Sequence, residues 1–366
     1  MTEFPILQFG ASRFLQAHVD LFVSEALPRG EAVGRIAVAG TTGSPESRRR
    51  IAAFAAGQTY PVLVKGLSDG VVVDEIVEVK SVGAGVDAIT EWDELERLFV
   101  AARCVLSNTA DRGYETDPDD RLDAGPPRSF PAKLAKLLLA RHRAGADPIT
   151  LFPCELTPTN GQVLRGVVLD RSEVPANARN WIGDECVWVN SLVDRIVSEP
   201  LEPLGAVAEP YALWAIEDQS GLELPCRHPA IVVAADLKAY ERLKLFILNL
   251  GHTYLAELWA KEQGAPGLTV REAVADINMR RRLDTLYEEE VLPVFAAIGM
   301  GDEANAYLKT VIDRFSNPFL NHRLSEILIN HEAKKARRFG GLIELADTNN
   351  VSLNLPRLKA ALADGR

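Results

Sequence analysis

The sequence predicts an α/β protein, with an N-terminal domain on a mostly parallel sheet and a mainly helical C-terminal domain. Three observations predict it. Short apolar runs alternate with helix-period stretches from residue 4 to about residue 152. From about Leu204 the apolar pattern becomes helical. Between them Glu199-Pro-Leu-Glu-Pro203 holds two prolines that interrupt regular structure, dividing a domain of residues 1–202 from one of residues 203–366.

In chain order, residues 4–9 read as a short buried strand, Gly10-Ala-Ser-Arg13 as a turn and residues 14–27 as a helix. Strand, glycine turn and helix open a Rossmann-like domain, where free N–H groups at a helix start receive a pyrophosphate. Of G-x-G-x-x-G only Gly10 is present, with Ser12 and Leu15 at the other places, so a turn glycine without a ligand fits equally. Residues 35–39 are a second strand leading into Gly40-Thr-Thr-Gly-Ser44 and Arg48-Arg-Arg50. No acidic residue stands there to bind an adenosine ribose, which leaves NAD and NADP both open. Three arginines opening a helix also read simply as a solvated face.

Residues 60–65 and 71–79 form a predicted hairpin around Asp69-Gly70. A helix at 86–102 leads to a strand at 104–106 and the polar turn Ser107-Asn-Thr-Ala110. A helix at 131–144 precedes a strand at 149–152. In such sheets ligands sit at the carboxyl ends of the strands, where Asn108, Thr109 and Cys154-Glu155 fall. Further helices are predicted at 270–283, 286–298, 303–315 and 318–339, and a helical domain beside a nucleotide-binding one would place the active site in a cleft.

One stretch organises the second half, Leu237 to Trp259, long enough for a helix and apolar around most of its circumference. It also carries Glu241, Lys244, Asn249 and His252. At 100° per residue with Lys244 at zero these fall at roughly 60°, 0°, 140° and 80°, on one side. A lysine taken out of water can serve as a general base, an amide can donate to a developing oxyanion and an imidazole can orient a hydroxyl. The competing reading is an interior helix whose lysine reaches out to solvent while Asn249 and His252 satisfy backbone.

Composition narrows the classes. The 366 residues are 47% hydrophobic and 25% charged, ordinary for a soluble globular chain. A formal charge of −11 argues against nucleic acid and anionic membrane as partners. No run of 18 apolar residues occurs and the start is not a signal peptide, so the expected compartment is the cytoplasm. Four scattered cysteines form no Cys-x-x-Cys pair, so neither a structural metal nor a disulfide framework is expected.

Several stretches together resemble the polyol-specific long-chain dehydrogenases, the mannitol dehydrogenase family. Gln8-Phe-Gly-Ala-Ser-Arg-Phe-Leu-Gln-Ala-His-Val-Asp20 resembles its opening, most closely in the tagaturonate reductase branch. Ser107-Asn-Thr109, Pro153-Cys-Glu-Leu156 with Asn160-Gly161, and Asn190-Ser-Leu-Val-Asp-Arg-Ile196 are similar to successive later motifs. Lys244, Asn249 and His252 match its K-x4-N-x2-H pattern, and Arg314-Phe-Ser-Asn-Pro-Phe-Leu-Asn-His322 a late segment.

The resemblance implies a metal-independent, NAD- or NADP-dependent oxidoreductase. It would interconvert a secondary alcohol of an open-chain polyol or hexonate with the ketose or keto-uronate, as a monomer or homodimer. It implies Lys244 as general base, Asn249 on the alkoxide, His252 on a substrate hydroxyl and Glu241 as relay carboxylate. Asp194, Arg195, Arg314 and His322 would contact substrate; Phe9, Gly10, Ser12, Arg13, Phe14, Thr41, Asn108 and Thr109 would contact cofactor. Three departures stand out. Leu156 replaces an asparagine that supplies a second alkoxide donor, Ser12 replaces a glycine, and the chain is short. A mannitol-1-phosphate-like dehydrogenase, which would open on a Gly-x-Gly-x-x-Gly-like turn, and a cofactor-binding regulator without turnover are the alternatives.

Overall fold

The computed structural model describes residues 3–109 and 112–363, so Ala110 of the predicted polar turn lies outside the described residues. In chain order the strands are β1 (Ile6–Phe9), β2 (Ile36–Gly40), β3 (Tyr60–Ser68), β4 (Val71–Val79), β5 (Val82–Asp87), β6 (Cys104–Ser107) and β7 (Thr150–Pro153). They continue as β8 (Val187–Trp188), β9 (Ser191–Asp194), β10 (Val197–Pro200), β11 (Ala206–Ala208), β12 (Leu213–Glu217) and β13 (Ile231–Ala234).

Six strands form one parallel sheet in the order β5-β2-β1-β6-β7-β8. This is the doubly wound order, with its switch point between β1 and β6. Alternation along the strands serves two cores. Ile6, Val38, Leu106 and Phe152 face one layer, while Leu7, Phe9, Val105 and Leu151 face the other. The predicted helix at 86–102 is a correction: Val86 and Asp87 end β5, and the helix is Trp92–Ala101. Ser81-Val-Gly-Ala-Gly-Val86 lacks a strand's apolar run because Gly85 admits the neighbouring helix Pro45–Ala55 and Gly83 the side chains of Phe4 and Arg35. A Cβ built on Gly85 would stand 2.3 Å from the Ile51 carbonyl oxygen.

By contacts the chain divides into two compact units. The first holds residues 1–64, 75–208 and 212–237; the second holds 65–74, 209–211 and 238–366. The helical texture expected from Leu204 onward is therefore corrected. Strand β11 pairs with β10 and β3, and β12 with β9 and β13, so the regular structure of residues 206–234 is short strands joined by loops, not helix. These strands are three to five residues long and cut by Pro210, Pro225 and Pro229, too short to show a period of two. The β3–β4 hairpin turns at Asp69-Gly70, both at positive φ (51° and 74°), as a two-residue turn with right-handed strand twist requires.

The second unit is a helical assembly around Phe246, Ile247, Leu250, Leu255, Leu283 and Phe339. The stretch 237–259 is not one uniform helix. It runs as α-helix Lys238–Leu243, a π-helical turn Lys244–Asn249 and α-helix Leu250–Lys261. The predicted helix 270–283 breaks at Asp276, which caps the helix Ile277–Leu286 through the Asn278 and Met279 N–H groups. Residues 318–339 do not form one helix but the short helices Leu324–Ile327 and His331–Lys335 and a π-turn Ala336–Gly340. Among the described residues no helix is long and apolar enough to cross a membrane.

Candidate active site

The first unit gathers its candidate cofactor residues where β1, β2 and β6 end. Gly10 has φ +107°, and a Cβ there would stand 2.5 Å from the Asn108 carbonyl oxygen. Glycine is therefore required for the β1 and β6 turns to lie this close. The Gly10 N–H donates to Ala39 (3.0 Å) and the Asn108 N–H to Phe9 (3.1 Å), tying the three strand ends together. Ser12 caps the next helix, its Oγ accepting from the Leu15 N–H at 3.3 Å. The predicted helix 14–27 is interrupted: Arg13–Gln16 and Val19–Ala26 are separate helices. Arg13 is exposed, and Phe14 stacks on His18 at 4.8 Å. The Phe9 ring is core, against Phe130 and Phe99, so only its backbone faces the turn.

The β6 turn is held by a carboxylate. Buried Glu155 accepts from the Ser107 hydroxyl (3.0 Å), the Thr109 N–H (3.0 Å) and hydroxyl (2.9 Å), and the Tyr114 hydroxyl (3.1 Å). Asn108 donates to the Cys154 carbonyl at 2.8 Å. A cavity of about 400 Å³ opens beside these ends, lined by Thr41, Thr42, Thr109, Phe130 and Lys133. A left-handed glycine with no room for a Cβ, a capped helix start and a cavity past the switch point fit a dinucleotide.

Asp194 ends β9, Arg195 follows it, and both are buried. Arg195 donates to the Ala17 carbonyl at 2.5 Å. Leu156 is 73% exposed. Neighbouring amides do not take the place of the asparagine it replaces. Asn160 is spent on three carbonyls and on the Gly161 and Ser191 N–H groups. Asn190 is spent on Glu217 and Gln162.

In the second unit the π-turn Lys244–Asn249 changes the geometry read from a regular helix. Its bonds run i→i+5, so residues five apart stand one above the other, and Lys244 and Asn249 share a face rather than lying about 140° apart. Both are half-buried, as is Glu241. The Asn249 carbonyl accepts from Thr253 (3.1 Å) and Arg338 (3.1 Å), while its side-chain amide has no partner among the described residues. His252 is buried, its ring 4.4 Å from that of Phe315 and 4.9 Å from that of His322. Burial lowers the His322 pKa, which Glu326 raises and Lys334 lowers further.

Arg314 is placed differently from a waiting substrate ligand. Its Nε and Nη2 meet both oxygens of Glu209 at 3.0 and 2.8 Å, with both side chains almost fully buried. Nη1 donates to the Tyr307 hydroxyl at 3.3 Å, and the guanidinium lies 4.5 Å over the Tyr211 ring. Sequence reasoning missed Glu209, Tyr211 and Arg338. Glu209-Pro-Tyr211 carries no motif, and Arg338 falls near the end of the predicted helix 318–339 with nothing local to single it out.

Residues 5–225 match the Mannitol dehydrogenase Rossmann domain and residues 236–363 the Mannitol dehydrogenase C-terminal domain. The chain is 32% identical to an altronate oxidoreductase of Bacillus subtilis, over 94% of this chain and 76% of that protein. An altronate oxidoreductase of Klebsiella pneumoniae is 29% identical, over 98% and 78%. A D-sorbitol dehydrogenase crystallised substrate-free superposes with TM-score 0.81 at 20% identity, covering 98% of this chain and 80% of the other. Pseudomonas fluorescens mannitol 2-dehydrogenase, in its ternary complex with NAD and D-mannitol, gives 0.74 at 20% identity, covering 99% and 79%. With both domains matched in order over nearly its whole length, the chain belongs to the mannitol dehydrogenase family.

Proposed function

We propose that this chain is an NAD- or NADP-dependent oxidoreductase whose general base is Lys244, acting on a secondary alcohol of an open-chain sugar acid or polyol. The observation that carries the reading is the π-turn, which brings Lys244 and the unengaged Asn249 amide to one face, one turn before buried His252. The curated relatives reported above are altronate oxidoreductases, which favours a hexonate over a neutral polyol.

A nicotinamide supplies the hydride acceptor or donor when bound. In the first unit Gly10, Ser12, Arg13, Phe14, Thr41, Asn108 and Thr109 would hold the dinucleotide, with the Phe9 carbonyl fixing the turn. The substrate and catalytic role falls to the helical unit. During oxidation Lys244 Nζ takes the proton from the reacting hydroxyl, and Glu241 relays it onward. The Asn249 amide donates to the oxygen as it becomes alkoxide-like, and its fixed position limits reorganisation. His252 orients a neighbouring hydroxyl and His322 lies beside it; Asp194 and Arg195 supply further hydroxyl contacts. Linear substrates need many such contacts to hold one carbon for hydride transfer. We infer a cytoplasmic enzyme, monomeric or homodimeric.

The test is absorbance of reduced nicotinamide, with NAD and NADP separately, against pentitols, hexitols and hexonates. Turnover on one class is expected, and Lys244→Ala should lower it about 10²-fold or more. Wild-type turnover by that variant at every pH would remove Lys244 from this role.

A further inference from the structure

We propose that Arg338 reads an anionic end of the substrate and so sets a preference for a sugar acid over the uncharged polyol of the same skeleton. This rests on the functional reading above. Arg338 closes the run Lys334-Lys-Ala-Arg-Arg338, and the fold treats those cations differently. Lys335 is buried and paired with Glu332 (2.9 Å) and Glu257 (3.6 Å). Arg337 is exposed. Lys334 and Arg338 are half-buried, one helical turn apart, and among the described residues neither has a carboxylate within 4.0 Å.

The π-turn Ala336–Gly340 packs on the π-turn Lys244–Asn249. Arg338 Nη1 donates to the Asn249 carbonyl at 3.1 Å and the Thr253 hydroxyl at 2.6 Å. One arm of the guanidinium is therefore anchored beside the candidate oxyanion donor. The Nε–Nη2 edge has no partner among the described residues, and that edge is the one that receives both oxygens of a carboxylate. Lys334 donates to the Ile327 carbonyl at 2.8 Å. Burial, with the charge of Arg338, lowers its pKa. Burial and Arg337 hold Arg338 down to about 10.

A half-buried guanidinium with no countercharge is costly, and an anion would relieve it. Arg314 offers no such need, because Glu209 already matches its charge. His252 lies by His322, and Arg338 returns to residues 249 and 253, within one turn of His252. An anionic substrate end beside Asn249 would therefore meet the open Nε–Nη2 edge of Arg338, with Lys334 one helical turn away.

The test compares D-altronate with D-altritol, the same skeleton without the carboxylate, in the full-length wild type, Arg338→Met and Arg338→Lys. The wild type should prefer D-altronate. Arg338→Met should lower kcat/KM for D-altronate about 10- to 100-fold, mainly through KM, and change it less than about three-fold for D-altritol. Arg338→Lys should keep part of the preference; if the methionine variant does not fold, a loss of about ten-fold confined to D-altronate in the lysine variant carries the test. Equal losses on both substrates would make Arg338 merely structural and overturn the inference. So would a wild type with equal kcat/KM on both. No turnover of either compound, nor of any other pentitol, hexitol or hexonate, with NAD or NADP would instead remove the functional reading, and this inference with it.

Discussion

Replacing Glu209 by glutamine should destabilise the helical unit by about 3–5 kcal/mol, the usual cost of breaking a buried ion pair by removing one of its charges. Arg314 and Glu209 are each 3% exposed and joined by two parallel bonds of 3.0 and 2.8 Å. An amide keeps the shape but turns one acceptor into a donor facing a donor, while the guanidinium keeps its charge. The assay is urea unfolding followed by helical circular dichroism, for wild type, Glu209→Gln, Arg314→Met and the double variant. Because removing both charges is far less costly than removing one, the double variant should be more stable than the sum of the singles by 2 kcal/mol or more, roughly. A single variant within about 1 kcal/mol of wild type, or strictly additive singles, would refute the reasoning and return Arg314 to the pool of substrate ligands.

Asp20 and His18 should give opposing pH dependences. Burial raises the Asp20 carboxyl to about 7, against hydrogen bonds from Tyr60 and Gln8 that lower it. The folded state therefore holds this proton more tightly than the unfolded chain. Its contribution is full below about pH 4 and is lost as pH rises to about 7, on the order of 4 kcal/mol in all. Burial lowers His18 to about 3, so its contribution is present above about pH 6.5 and lost as pH falls toward 3. Asp20→Asn should thus be more stable than wild type above pH 7, and its stability should fall more steeply below about pH 6.5; a parallel pair of curves would contradict this. Gly10→Ala should cost about 2 kcal/mol or more and weaken dinucleotide binding by calorimetry, because its Cβ would meet the Asn108 carbonyl at φ +107°. Unchanged affinity would dissociate that turn from the cofactor.

Much of the first unit was legible because parallel strands buried on both faces write themselves as apolar runs: 4–9, 35–39, 104–106 and 149–152 all coincide with strands of the doubly wound sheet. β5 was not legible, since Gly85 admits a helix some 30 residues away and Gly83 the side chains of Phe4 and Arg35, requirements set by segments distant in sequence. Likewise the strands between 206 and 234 are stabilised by partners distant in sequence, not by their own periodicity.

At the candidate site the sequence by itself determined which chemistry was present: an amine, an amide and an imidazole spaced along one greasy helix at Lys244, Asn249 and His252. Side-chain chemistry and spacing are local properties, readable without a fold. Only the tertiary structure decided how that chemistry is aimed and which charges remain uncompensated. The π-turn sets Lys244 beside Asn249, Glu209 reaches across 105 positions to neutralise Arg314, and Arg338 reaches 89 positions back to Asn249. A charge is compensated by whatever lies within a few ångströms of it, and at these separations in sequence only packing determines which residue that is.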